Sequence, residues 1–189
     1  MVEARIEEEA DLFDYDPYAQ LATLRDFAPL TLTSDDFVDG GPLPETAWSA
    51  RARSGGADRS PSLRWSPGPA GTLSYAVSCF DPDAPTGSGF WHWAVANIDP
   101  TITELAAGAG DPDAAPAGAF VVPNERRSRR YIGSAPPAGT GVHRYFFVVD
   151  ALDVAELDLT EESTPAVLGF QRHFHSLGRG ILVGTATSD

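Results

Sequence analysis

Three short stretches carry the side chains best suited to chemistry. Asp81-Pro82-Asp83-Ala84-Pro85 sets two carboxylates in a proline-stiffened bend ahead of Thr86-Gly87-Ser88-Gly89. Proline fixes φ and lacks an N–H, so this stretch must leave the sheet that it follows. Phe90-Trp91-His92-Trp93 places an imidazole among aromatic rings, and Gly139-Thr140-Gly141 leads into His143-Arg144-Tyr145. One carboxylate and two imidazoles brought together permit three kinds of site. Protonated imidazoles can donate charge-assisted hydrogen bonds to an anion. Two His and one carboxylate can hold a metal ion. The same pair can act as general acid and base. No HExxH, GxSxG elbow or P-loop accompanies them, which weighs against the catalytic readings. Taken singly, each residue has a plainer role: an Asp after a strand is usually a turn residue, and a lone His is usually a satisfied interior one. Asp83 and Arg144 are read as a structural ion pair that holds the loop.

The elements that must bring these stretches together are short apolar runs broken by 18 Gly and 16 Pro, a pattern of many strands and turns. Strands are predicted at Leu30–Thr33, Leu63–Trp65, Leu73–Phe80, Trp91–Ile98, Ala119–Val122 and Val142–Leu152. Leu73, Tyr75, Val77 and Cys79 share one face by the period of two, and the opposite face is also apolar, so this strand is expected at the centre of a sheet. The same alternation groups His143 with Tyr145 and Phe147. It groups His92 with Phe90 and Ala94, leaving Trp91 and Trp93 to pack on the other face. If these strands are neighbours, Asp81, His92, His143 and Tyr145 converge at one sheet end, a few polar groups inside an aromatic rim. A cis Ala84–Pro85 bond is expected in the bend beside them.

One helix is signalled. Ser163-Thr164-Pro165 supplies an N-cap and a proline at the first helical position, and Leu168, Phe170, Phe174 and Leu177 follow at near-helical spacing. Gly178 and Gly180 are expected to stop it. Ile181–Thr187 is read as a final strand or an extended tail. His173 and His175 are assigned surface or packing roles. Cys79, the only cysteine, is expected to be a buried hydrophobe.

Composition narrows the class. The 189 residues suit one domain, residues 25–189, preceded by an acidic arm over 1–24. There is no apolar run of about 18 residues, so no integral membrane span is expected. The start lacks the order of a secretory signal, which points to the cytoplasm. The formal net charge is −14 and every basic residue is Arg, a balance that repels nucleic acid. Such acidity suits a salt-rich, halophilic cytoplasm. An unfolding midpoint that rises with KCl is the expected result, and indifference to salt would remove the idea. Arg126-Arg127-Ser128-Arg129-Arg130 is read as an exposed hairpin tip before a docking patch. Nothing fixes the oligomeric state, and a homodimer through the C-terminal helix stays open.

The DPDAP stretch, the following WHW strand and Gly133–Tyr145 (GSAPPAGTGVHRY) together resemble the signature stretches of the phosphatidylethanolamine-binding protein family, especially its bacterial and archaeal, Raf-kinase-inhibitor-like branch. Ser60-Pro61-Ser62-Leu63-Arg64-Trp65 resembles that family's Ser-Pro-x-Leu-x-Trp stretch, and the likeness runs over about residues 25–187. It implies a mainly β (β-rich α+β) fold, a central antiparallel β-sandwich with few peripheral helices. It also implies a shallow pocket for phosphate-bearing head groups, made by Asp81, Pro85, Phe90, His92, Ala135, Pro136, His143 and Tyr145. Ala135 stands where the family commonly has Gly, which narrows the backbone approach. The long C-terminal helix of the mammalian branch has no counterpart after Ile181, so a more open pocket is expected. The implied function is non-enzymatic binding of a small anionic or phosphorylated ligand, with no cofactor and no metal. A metal-dependent or His-based hydrolase, or a kinase or protease inhibitor acting through its surface, is the alternative. With both imidazoles charged on binding, and backbone N–H groups of Gly139–Gly141 assisting, affinity for phosphate esters is expected to fall above about pH 7.

Overall fold

The structure, a computed structural model, describes residues 15–52 and 55–188. The acid-rich stretch from Glu3 to Asp14 lies outside them. Asp16 Oδ1 accepts the N–H groups of Tyr18 and Ala19 and so caps a short helix, α1 (Pro17–Ala22). Tyr18 is only 3% exposed, so this end of the arm is docked on the body.

The strands follow in chain order as β1 (Ala28–Pro29), β2 (Leu32–Thr33), β3 (Leu63–Trp65), β4 (Ser74–Asp81), β5 (Phe90–Ile98), β6 (Glu104–Leu105), β7 (Phe120–Val121), β8 (Val142–Leu152) and β9 (Ser176–Thr187), with α2 (Pro165–His175) between the last two. A six-stranded sheet runs in the order β1-β9-β8-β4-β5-β7, antiparallel except where β1 joins β9. A three-stranded antiparallel sheet, β2-β3-β6, covers one of its faces. Val77, Cys79, Trp93, Tyr145, Phe147 and Val149 of the large sheet pack there with Leu32, Leu63, Trp65 and Leu105 of the small one. Burial pushes the Cys79 thiol well up, in keeping with a packing role. On the opposite face, Ala76, Ala94 and Ala96 meet Leu168 of α2, while Phe80, Phe146 and Val148 meet Tyr18. Every residue of β4 is buried because both faces are covered. Among the described residues no helix is long and apolar enough to cross a membrane.

The C-terminal helix differs from its expected form. Thr164 Oγ1 accepts the Val167 N–H as the N-cap, but the inward face presents Leu168 and Arg172. Phe170, 68% exposed, and Phe174 stand outside as an edge-to-face pair. The helix ends at His175 and the chain passes straight into β9, so Gly178 and Gly180 are strand residues, not a stop. They are small because β1 and the chain after it cross over them: a Cβ on Gly178 would lie 3.0 Å from Ala28 O, and one on Gly180 would lie 2.9 Å from Leu30 O. Arg172 and Arg179 both pair with Asp150 of β8, at 3.2 and 2.7 Å, in a buried network with Ser78 and Ser176.

Candidate functional site

β4 ends, and β5 and β8 begin, at the same edge of the large sheet, so its loops 82–89 and 132–141 enclose one cavity of about 210 Å³. Asp81, Pro85, Phe90, His92, Ala135, His143 and Tyr145 line it together. Pro136 is buried outside the lining, and Pro137 faces the cavity in its place. A larger crease of about 950 Å³ lies between residues 57–59 and 101–116, but its charges are already engaged: Arg130 with Asp111 at 2.7 Å, and Arg59 with the Ala107 carbonyl.

His92 reaches the cavity through a β-bulge. Cys79 pairs with Trp93 but Phe80 pairs with Trp91, so β5 carries one extra residue at His92. Simple alternation put His92 with Ala94 and opposite both tryptophans. Instead Trp93 packs in the core between the sheets, Trp91 stacks on Phe80 at 4.4 Å on the far side, and the His92 ring lies 5.1 Å from that of Tyr145. A second extra residue in β5, near Asn97 with its φ of +59°, restores the alternation before Ile98.

The polar groups are fixed by their partners. Asp81, 3% exposed, directs Oδ2 at His143 Nδ1, 2.8 Å away, while Oδ1 accepts the Asp83 N–H. This side-chain turn shapes the bend; no peptide bond among the described residues is cis, so Ala84–Pro85 is trans, contrary to expectation. His143 Nε2 lies 2.8 Å from Thr140 Oγ1, which in turn donates to the Pro137 carbonyl. The Thr140 N–H also returns to Pro137, and neither Gly139 nor Gly141 lines the cavity, so that loop orients His143 and offers the cavity no backbone donors. Asp83 binds Arg144 through both carboxylate oxygens, at 2.7 and 2.8 Å, and accepts its N–H.

Burial sets the protonation states. It pushes His92 down to about 4, helped by the charges of His143 and Arg126 and opposed by the bond from Nδ1 to the Ile132 carbonyl at 2.7 Å. His92 is therefore a neutral imidazole at pH 7, where a charged one on binding was expected. With Nδ1–H donating to Ile132, Nε2 keeps its lone pair. Burial raises Asp81 above the usual carboxylate range against the pull of His143, and raises Tyr145 further above an ordinary phenol. The Tyr145 hydroxyl is buried with no well-aligned hydrogen-bond partner.

Several residues at the site carry no sequence signal as site residues. Ser49, Arg126, Ile132 and Gly133 also line the cavity. Gly133 must be glycine, since a Cβ there would meet the Trp48 and Ser49 backbone at 2.2–2.3 Å. Asp58, strained at φ +49°, locks that contact by accepting the Gly133 and Ala50 N–H groups. Outside the cavity, His175 pairs with Asp153 at 2.8 Å, and the His173 ring packs edge-on against Phe27. Among the described residues no three His, Cys, Asp or Glu side chains are grouped to hold a metal ion.

A buried carboxylate–imidazole pair beside a neutral imidazole can bind and orient an anion that also offers a proton. Comparison with known proteins places this arrangement in context. Escherichia coli YbhB is 42% identical over 149 residues, covering 78% of this chain and 94% of its own. A protein of Methanothermobacter thermautotrophicus is 35% identical over 156 residues, covering 82% and 97%. The crystal structure of E. coli YbcL, described as a new member of the mammalian PEBP family, superposes with a TM-score of 0.81 at 34% identity, covering 86% of this chain and all of that one. The sequence profile of the phosphatidylethanolamine-binding protein matches residues 33–187, the stretch that holds β3 to β9, α2 and the whole cavity, and the chain belongs to that family.

Proposed function

We propose that this chain is a cytoplasmic, non-enzymatic binding module for small anionic, phosphate-bearing ligands, held in the cavity between Asp81, His92 and His143. One observation carries the reading: the Asp81–His143 pair and the lone-pair nitrogen of His92 belong to the same small cavity, walled by Phe90, Pro85 and Tyr145. Asp81 does not meet the ligand as a free charge, because both its oxygens are engaged; it orients His143. The volume suits a head group and not a whole lipid.

The neutral His92 gives the binding reaction a proton balance. A phosphate monoester has a second pKa of about 6, so one of its oxygens can carry a proton and donate it to Nε2. A fully ionised ester would draw a proton into the complex. Free His92 titrates at about 4, and an adjacent anion raises that value. Between the two values the complex holds more protons than its separated parts, so affinity rises as pH falls. Calorimetric titration with O-phosphoethanolamine at pH 7, 6 and 5 is expected to show tightening at each step, with proton uptake near pH 7. Affinity that is flat over this range would count against the reading, and absence of binding would end it.

A further inference from the structure

One charged residue at the cavity has no partner among the described residues. Arg126 lines the cavity opening, is exposed, and makes no side-chain hydrogen bond or ion pair there. Its neighbours in the arginine run differ: Arg129 contacts Glu161 and lies over Phe120, Arg130 pairs with Asp111, and Arg127 does not line the cavity. The sequence alone makes these four residues one exposed tip.

The loop that carries Arg126 is built, not loose. Asn124, fully buried in effect, accepts the Arg126 and Ser128 N–H groups on Oδ1, at 3.0 and 3.1 Å. Its Nδ2 donates to the Arg130 carbonyl at 2.8 Å and, more weakly, to the carbonyl of His92 itself at 3.4 Å. Backbone bonds between Asn124 and Ser128 and from Arg127 to Asn124 close the turn, with Arg127 at φ +59°. One amide therefore ties the base of the Arg126 loop to the strand residue whose ring lies in the cavity. The Arg126 charge is also near enough to act on His92.

We propose that Arg126 is the charge anchor of the cavity and that, paired with the neutral acceptor nitrogen of His92, it makes the site selective for phosphate monoesters over diesters. The proposal rests on the anion-binding reading above and adds to it the ligand class and the residue that anchors it. A monoester offers what the two groups require together: a P–OH for the neutral Nε2 of His92, and further anionic oxygens for the guanidinium, which pairs with phosphate through two parallel N–H bonds. A diester presents the same two anionic oxygens to the guanidinium but has no acidic hydroxyl, so Nε2 of His92 is left unmatched.

The test uses the full chain, with phenyl phosphate and its methyl diester as probes, titrated at pH 6.5 and low salt. Wild type is expected to bind the monoester at least 10-fold more tightly than the diester. Arg126→Gln is expected to weaken both esters, each by roughly 10- to 100-fold, the scale of a charged hydrogen-bonded contact, while the monoester stays the tighter of the two. Arg127→Gln removes the same charge from the same loop and is expected to change neither by more than about 3-fold. Equal losses in the two variants would overturn Arg126 as anchor, reducing its effect to general charge. Equal affinity for the two probes in wild type would overturn the monoester selectivity. Failure of wild type to bind either ester would instead defeat the anion-binding reading beneath it.

Discussion

Replacing His143 by alanine is expected to cost about 3–5 kcal/mol of stability at pH 7, the scale for leaving a buried charge without its partner. His143 is 1% exposed and its removal leaves the Asp81 carboxylate buried with only the Asp83 N–H as partner. Burial already raises Asp81, and loss of the imidazole raises it further. A carboxyl whose folded pKa exceeds its unfolded value contributes stability at low pH and loses it as pH rises through the folded pKa. The deficit of the variant should therefore be largest near pH 7 and smaller at pH 4.5, since acid favours the protonated form of a carboxyl that burial has already raised. Adding Asp81→Asn to the variant should recover more than half of the loss at pH 7. Urea unfolding of the three proteins at both pH values measures this, and a deficit independent of pH would contradict it.

Asp150→Ala is expected to be as damaging, for the opposite charge. Asp150 is fully buried and is the shared counter-ion of Arg172 and Arg179, both more than nine-tenths buried. Without it the Arg172 guanidinium keeps only the hydroxyls of Ser78 and Tyr18 as hydrogen-bond partners, and that of Arg179 keeps only the rings of Phe27 and Tyr18. A loss of about 3–5 kcal/mol corresponds, for a chain of this size, to a Tm lower by roughly 6–20 °C. The network lies under the helix and not at the cavity, so the folded variant should keep wild-type affinity for O-phosphoethanolamine. A drop in Tm of less than 2 °C would show that the network is not a stability element, and lost affinity would link it to the cavity.

Much of this architecture is legible in the sequence because period-two alternation and proline are strong signals. The apolar run before Asp81 reads as a central strand, and β4 is buried on both faces. Thr164-Pro165 reads as a helix start and is one. The family resemblance rests on DPDAP, WHW and GSAPPAGTGVHRY, and the strands they flank are neighbours in the sheet. What escapes the sequence is of two kinds. A bulge is one residue long and carries no composition signal, so the face of His92 could not be read from alternation. Long-range partners are equally silent: Asp150 lies in an apolar strand and Arg172 in an amphipathic helix, and only the fold joins them, displacing Phe170 and Phe174 from the inward face. Arg126 was hidden by its neighbours, since four arginines in five residues read as a solvated tip until Asn124 is seen folding the loop back to β5.

The extra residue of β5 also sets which changes of chain length the protein can accept. Deleting Trp91 would remove this bulge and swing the imidazole round to the side of the sheet that α2 and α1 cover, emptying the binding chamber without touching its other walls. Gly87 and Ser88, exposed between the DPDAP bend and the strand, lie outside both the ladder and the cavity lining, and chain length can change there at least cost. Insertions and deletions at this corner of the molecule are therefore confined to the few positions where no strand has to keep count.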